Sequence, residues 1–177
     1  MFKGFGIKLS AFRDDMVLRY AAKHIRESQL QLHGLVTCEH FRDSKLIHIQ
    51  SGSNTFTTEG MARLLNIVFR AQATEAAIYC GIFKNNVPPA VGDTAAVKLG
   101  AAGTYGECQD ADYDSPATDK PAYTMASTST AVATNTASKA TFVMNASITV
   151  YGAFLSTAAA KTATSGTLFC GKKFAAS

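Results

Sequence analysis

Three aspartates at alternate positions are the residues whose spacing most resembles a metal site. Asp110, Asp112 and Asp114 match the first three side-chain ligand positions of an EF-hand calcium loop. That loop also needs glycine at its sixth position and glutamate at its twelfth, where this chain has Ser115 and Pro121. The sequence therefore predicts no EF-hand, and a solvated acidic loop is favoured over a site for another hard cation.

A second group of potential metal ligands lies in a predicted hairpin. Cys38 and His40 share one face of a strand, and His48 follows on its partner. None of the four cysteines belongs to a C-x-x-C pair, so a zinc ribbon is not supported. Cys80 and Cys170 each precede glycine in an apolar run, which is typical of buried thiols. We therefore favour an ordinary hairpin face and predict no bound metal.

Residues suited to catalysis form no recognisable pattern. The chain has no G-x-S-x-G sequence, and no serine, histidine and acid lie in a familiar local context. The glycines of GAAGTYG, residues 100–106, lack the spacing of a dinucleotide site or a P-loop. We therefore predict that the protein is not an enzyme, has no catalytic residue and binds no cofactor.

The charge distribution gives no strong indication of a nucleic-acid partner. The 177 residues carry a net charge of +4, and the whole excess lies in residues 1–72, with 10 Lys and Arg against 6 Asp and Glu. Solvated helix charges explain so small an excess. The chain shows no signal peptide at its start and no apolar run long enough to span a bilayer. We predict no specific nucleic acid, no membrane association, and synthesis and assembly in a reducing cytoplasm.

The stretch 140–156, ATFVMNASITVYGAFLS, is predicted to be the centre of the fold. Apolar residues occupy the even positions from Phe142 to Val150, and polar residues stand between most of them. This period of two predicts a strand with one buried face. The segment Asn145–Ser147 is a candidate turn that would split the run. Gly152 permits a bend before a further buried piece.

The N-terminal part is predicted to combine helices with a hairpin. Residues 1–12 form an apolar arm that folds back or docks on a neighbour, and a helix follows to about Leu32. Residues 35–41 and 45–50 are predicted to pair as a β-hairpin around Asp43 and Ser44. Thr57 or Thr58 caps a second helix that ends near Gln72.

The later part is predicted to be mostly strands joined by one long loop. The apolar face of the second helix repeats at helical spacing from Met61 to Phe69. Strands are predicted at 76–83, from 122 towards 129, and at 167–170, with a hairpin loop over 161–166. The loop spans 87–121, with a short helix or strand at 95–99, and loops of this length are usually functional or held by a partner.

These elements predict a mainly β fold with an α+β N-terminal part. An antiparallel β-sandwich would be preceded by a helix, a hairpin and a helix. The division falls between an N-terminal part, residues 1–53, and a sandwich domain, residues 54–177, that contains the leading helix and the long loop.

Several segments together resemble small virion structural proteins of tailed bacteriophages, and more narrowly the cement or decoration proteins of icosahedral heads. The resemblance covers roughly residues 54–170. It is carried by five segments: NTFTTEGMARLLNIVF (54–69), IYCGIFKNN (78–86), GDTAA (92–96), TYGECQDADYDSPATDKPAYT (104–124) and SITVYGAFLST (147–157).

The resemblance implies a jelly-roll-like sandwich that forms a homotrimer on the outer capsid surface of the virion and binds the major capsid protein. It also implies a last strand beyond Phe174, so the end at Ser177 is either a genuine variation or the end of a fragment of a longer chain. We expect the chain to stabilise the head against the pressure of packaged DNA through many weak contacts. The alternative within the same class is a tail, collar or fibre-base protein.

The residues expected to make subunit contacts are apolar or aromatic. The expected set comprises arm residues and two tyrosines of the long loop: Phe2, Phe5, Leu9, Phe12, Tyr105 and Tyr113. A third hypothesis is a carbohydrate-binding sandwich, in which Tyr105, Tyr113 and Tyr123 would line a cleft. The competing interpretation is that these tyrosines pack the long loop against the core.

Overall fold

The computed structural model describes residues 32–126 and 132–175. Apart from Leu32, these residues belong to one compact unit, His33–Ser177. The elements in chain order are β1 Leu35–Arg42, β2 Lys45–Ser53, β3 Thr55–Phe56, α1 Thr58–Arg70, β4 Tyr79–Phe83, α2 Ala95–Lys98, β5 Tyr113–Ser115, β6 Val143–Met144, β7 Gly152–Ser156 and β8 Leu168–Lys173. The predicted arm and first helix lie outside the described residues. The hairpin and the later strands belong to the same unit, and the division predicted after residue 53 stays a prediction.

The fold is mainly β, with every strand pair antiparallel. The central sheet has four strands in the order β3, β8, β7, β4, and the pairs β1–β2 and β5–β6 form separate two-stranded sheets. Strand β7 lies between β4 and β8, with Phe154 opposite both Gly81 and Gly171. The central position of β7 agrees with the prediction that its segment is buried.

Both faces of the central sheet are covered by the chain. Consecutive residues belong to different core clusters: Ile82 and Ala153 to one, Phe83 and Phe154 to the other. Because strand side chains alternate between faces, these two clusters lie on opposite sides of the sheet. The long loop supplies Ala95, Leu99 and Tyr105 to the first cluster. Strands β1 and β5 supply side chains to the second, namely Val36, Cys38 and Tyr113.

The hairpin β1–β2 is confirmed, and its turn contains the two predicted residues. Asp43 and Ser44 both have positive φ, 50° and 62°. Two-residue hairpin loops of this type require positive φ at both central residues, which favours Asn and Gly. Asp tolerates this conformation better than Ser does, so Ser44 carries most of the backbone strain.

Replacing Ser44 by glycine should therefore stabilise the protein. We expect the free energy of unfolding to rise by about 0.5–1 kcal/mol, because glycine adopts positive φ without a steric penalty. Urea unfolding measures this change. Ser51→Gly is the matched control, since Ser51 lies in the extended strand and bonds Thr37 at 2.8 Å. That control should be destabilising, and stabilisation by both variants would contradict the turn assignment.

Helix α1 is confirmed with the predicted cap. The hydroxyl of Thr57 accepts a hydrogen bond from the N–H of Gly60 at 3.0 Å, and the helix ends at Ala71 in the left-handed region. The Glu59 carboxylate accepts hydrogen bonds from the N–H groups of Ala95 at 2.9 Å and Leu168 at 2.7 Å. The N-terminus of the helix is therefore fixed to both the long loop and β8.

The prediction for 140–156 is wrong about hydrogen bonding and about Met144, which is 38% exposed, and right about most of the other inward-facing side chains. Within this segment only Val143–Met144 and Gly152–Ser156 are strands, and residues 145–151 are not paired with another strand. Yet Phe142, Ile148 and Val150 are partly buried against the second core cluster, while the polar residues between them are exposed. The alternation of apolar and polar residues therefore indicates an extended segment that packs on the core. Such a segment can bury every second side chain without being hydrogen-bonded to a neighbouring strand.

The remaining strand predictions differ in detail from the structure. Strand β4 begins at Tyr79, three residues later than expected, and β8 begins one residue later than the last predicted strand and ends three residues beyond it, at Lys173. The predicted strand at 122 is reduced to one bridge, Tyr79 with Ala122, although the N–H of Tyr123 also donates to the carbonyl of Ile78. The segment around 121–123 therefore covers part of the outer edge of β4. The piece at 95–99 is the short helix α2.

Candidate interaction surfaces

The two loop tyrosines expected at an interface are fully buried inside the chain. Tyr105 is 0% exposed, its ring stacks on Phe83 at a centroid distance of 4.6 Å, and its hydroxyl donates to Asp93 at 2.8 Å. Burial, followed by the hydrogen bond to Asp93, raises the pKa of Tyr105. Tyr105 therefore packs the long loop against the sheet.

Tyr113 is equally inaccessible. It is 0% exposed, meets Phe142 edge to face, and lies with its ring centroid 4.0 Å from the Lys161 ammonium. Burial raises its pKa as well. The expectation that Tyr105 and Tyr113 contact a partner is corrected: both rings belong to the core. The glycan-binding hypothesis loses these two residues and keeps only the partly buried Tyr123.

Buried ion pairs hold the long loop in place. The side chains of Lys120 and Glu107 are 0% and 1% exposed, and the Lys120 ammonium lies 2.8 Å from the Glu107 carboxylate. Lys120 also donates to the carbonyl of Ala160, and Glu107 accepts from the N–H of Gly100 at 2.7 Å. Burial keeps the pKa of Glu107 above its ordinary value despite the lysine. The pair therefore joins the loop to the segment before β8.

A second buried lysine fixes the acidic part of the loop. The Lys161 ammonium donates to the carbonyls of Tyr113 at 3.0 Å and Ala117 at 2.9 Å, and it pairs with the Asp110 carboxylate at 2.9 Å. The Lys161 side chain is 2% exposed. Buried charges must be paired and hydrogen-bonded, and here both conditions are met.

Two of the three alternating aspartates are bound by lysines of the same chain. Asp112 accepts from Lys84 at 2.7 and 2.9 Å and from the N–H of Gln109 at 2.8 Å, while Asp110 pairs with Lys161. Burial alone would raise the pKa of Asp112, but the hydrogen bonds from Lys84 and Gln109 outweigh it and hold the pKa below its usual range. Of these three aspartates only Asp112 is buried; Asp110, which is 70% exposed, and Asp114 remain in contact with solvent.

The pKa of Asp112 predicts a loss of stability in acid. A carboxyl with a depressed folded-state pKa contributes stability above its unfolded pKa, and that stability is lost as the pH falls through the folded value. We expect Asp112→Asn to unfold more easily at neutral pH and to show a shallower fall in stability below about pH 4. Urea unfolding at a series of pH values measures this. An unchanged acid limb in the variant would contradict the assignment.

The structure places two of the three hairpin residues considered as metal ligands opposite each other. His40 and His48 are direct cross-strand partners, whereas Cys38 faces Gln50 in the register and packs against the second core cluster. Burial raises the pKa of the Cys38 thiol, which favours the protonated form over the thiolate that binds metals. Within 32–126 and 132–175, no three His, Cys, Asp or Glu side chains are grouped as a metal site would require.

The apolar face of α1 points to solvent, which the sequence pattern alone does not predict. Leu65, Val68 and Phe69 are 41%, 69% and 76% exposed. A groove of about 300 Å³ runs beside this face. Seven residues line the groove: Phe56, Thr57, Thr58, Met61, Ala62, Leu65 and Val91. An amphipathic helix normally buries this stripe, so the surface is suited to a protein partner.

The hairpin presents a second exposed apolar surface. Phe41 and Leu46 are cross-strand partners and are 53% and 43% exposed, and Ile49 is 52% exposed. Within the described residues, no backbone group of β1 or β2 hydrogen-bonds to an element outside the hairpin. A two-stranded sheet is marginally stable alone, and its open edges are a template for pairing.

Exposed apolar side chains outnumber buried ones among the described residues. Fourteen large apolar side chains are exposed, against nine buried aliphatic or aromatic ones when alanine and cysteine are left aside. Single exposed apolar residues are ordinary, but contiguous patches mark interaction sites. The arrangement is typical of a subunit whose surface is completed by neighbours. Phe2, Phe5, Leu9 and Phe12 lie outside the described residues.

No described helix is long and apolar enough to cross a membrane. The comparisons with protein-family models, with curated proteins and with solved structures found no match to this chain.

Proposed function

We propose that this chain is a structural subunit of a tailed-phage virion that stabilises the head by binding the outer surface of the major capsid protein. The observation that carries the proposal is the pair of exposed apolar surfaces, on α1 and on the hairpin β1–β2. The long loop is held in place by the buried ion pair of Lys120 and Glu107, which fits a protein that presents a fixed surface for binding. The proposal includes self-association as a homotrimer on the capsid surface.

A sandwich architecture is part of this proposal. It is supported by the second core cluster, in which β1 and β5 pack side chains against one face of the four-stranded sheet. In such an arrangement the long loop covers the other face with Tyr105 and Leu99. The α1 surface then remains available to bind the capsid shell. The N-terminal arm would contact a neighbouring subunit through Phe2, Phe5, Leu9 and Phe12.

Binding to heads tests the proposal through the α1 surface. We expect the purified chain to co-sediment with heads that lack it, and Val68→Asp/Phe69→Asp to bind at least about tenfold more weakly, because charges would replace the apolar contact. Val132→Asp is the matched control, since Val132 is exposed to a similar degree at 65%. Equal binding by both variants would contradict the role of α1, and no binding by the wild-type chain would contradict the proposed function.

A further inference from the structure

Two surfaces of this chain carry opposite charge beside exposed apolar side chains. The first is the hairpin tip, residues 40–48. Arg42 and Lys45 are exposed on either side of its turn, and neither forms an ion pair among the described residues. Phe41, Leu46 and Ile47 are 53%, 43% and 46% exposed in the same segment. Asp43 lies between Arg42 and Lys45 in the turn, so these three residues together give the tip a formal charge of +1 beside its exposed apolar side chains.

The second surface is the acidic strip, residues 110–119 together with β6. Asp114 and Asp119 are exposed, and neither forms an ion pair in the part of the chain that the structure describes. Val143 and Met144 of β6 pair with β5 directly beside Asp114, and they are 56% and 38% exposed. The strip therefore combines unpaired negative charge with an apolar strand.

The position of the strip is fixed by buried contacts. Lys161 binds the carbonyls of Tyr113 and Ala117, which flank Asp114 in the sequence. Tyr113 is fully buried, so the neighbouring Asp114 is anchored through its backbone. A preorganised charge binds with less loss of conformational entropy than one on a free loop.

The complementary charges favour a second copy of this chain as the occupant. Opposite potentials on two surfaces steer association and set the register of a contact, and like charges disfavour wrong pairings. Because the tip and the strip belong to one chain, each copy offers one surface to each of two neighbours. A contact between two different patches repeats head to tail and closes into a ring when the rotation permits.

We propose that the hairpin tip of one copy binds the acidic strip of the next, with Arg42 and Lys45 facing Asp114 and Asp119. This inference rests on the proposed role as an assembly subunit, and it names the contact through which identical copies bind.

Charge exchange tests the contact in the full-length chain. We expect wild-type protein to self-associate in sedimentation-velocity experiments. Arg42→Glu/Lys45→Glu and Asp114→Lys/Asp119→Lys should each weaken association at least about tenfold, since each places like charges in contact. The variant with all four changes should recover association to within about threefold of the wild type, because attraction is restored with reversed sign. Raising the salt concentration should weaken the wild-type complex.

The controls separate this contact from a folding defect and from the proposed function. Arg70→Glu reverses an exposed charge on α1 and should leave association unchanged. Far-UV circular dichroism should match the wild type in all variants. If the variant with all four changes does not recover self-association, or if the wild-type chain is monomeric, the inference is overturned. If the chain binds heads but the charge exchange does not change self-association, only the proposed contact is wrong. If the charge exchange changes self-association as expected but the chain does not bind heads, only the proposed function is wrong.

Discussion

Lys120→Met should lower the free energy of unfolding by about 3–5 kcal/mol, one of the two largest losses that we expect from a single change. Methionine keeps most of the volume and apolar stem of lysine, so the loss in unfolding free energy measures the removal of the ammonium charge. In the variant the Glu107 carboxylate retains the N–H of Gly100, at 2.7 Å, and loses its cation. A buried carboxylate without a cation is strongly destabilising.

The pH dependence of this loss identifies its cause. Burial already raises the pKa of Glu107, and removal of the lysine should raise it further. A carboxyl with a raised folded-state pKa destabilises the fold above that pKa, and the penalty disappears as the pH falls towards the unfolded value. The stability deficit of Lys120→Met should therefore shrink in mild acid, as urea unfolding at several pH values would show.

Two further variants complete the experiment on the buried pair. Glu107→Gln in the Lys120→Met background keeps an acceptor for Gly100 and removes the unpaired charge, so it should recover much of the lost stability. Lys139→Met breaks the ion pair with Glu39, whose side chains are 56% and 26% exposed, and should cost no more than about 1 kcal/mol. Equal losses from Lys120→Met and Lys139→Met would contradict the burial of the first pair.

Gly152→Ala should also be strongly destabilising, by about 1–3 kcal/mol or more. A Cβ at this position would overlap the Phe83 ring and the Lys172 carbonyl oxygen. Phe83 is fully buried on the neighbouring strand, so the ring cannot move away without disturbing the core. The same relation links Gly81 to the Phe154 ring on the paired strand.

A second glycine provides the control for this prediction. A Cβ on Gly92 would meet no atom within 4 Å, so Gly92→Ala should change the free energy of unfolding by less than about 1 kcal/mol. Urea unfolding of both variants measures the difference. A neutral Gly152→Ala would mean that β4 and β7 are not paired as described.

Local signals in the sequence were sufficient for the hairpin, α1 and β8. Each depends on neighbouring residues: a two-residue turn at Asp43, a threonine cap at Thr57, and a short apolar run that ends in Lys172 and Lys173. The spacing of glycines against aromatics in β4 and β7 is a further signal that the sequence contains. Its meaning depends on the strand register, which the sequence alone does not give.

The interaction surfaces were harder to predict because burial depends on distant residues. Sequence patterns assign charged side chains to solvent, yet Lys120, Lys161 and Glu107 are buried, and they hold the loop that covers Tyr105. The same patterns assign the apolar stripe of α1 to the core, where the structure leaves Phe69 exposed. In both cases the outcome is decided by which segments meet after folding.

The copy number of this chain in purified particles of the tailed phage to which we propose that it belongs tests the central claim most directly. Quantitative mass spectrometry should find the chain in amounts comparable to the major capsid protein, as a subunit distributed over the whole head surface requires. A far lower copy number would support the tail, collar or fibre-base alternative and contradict the assignment to the head. Absence of the chain from particles would contradict a structural role in the virion.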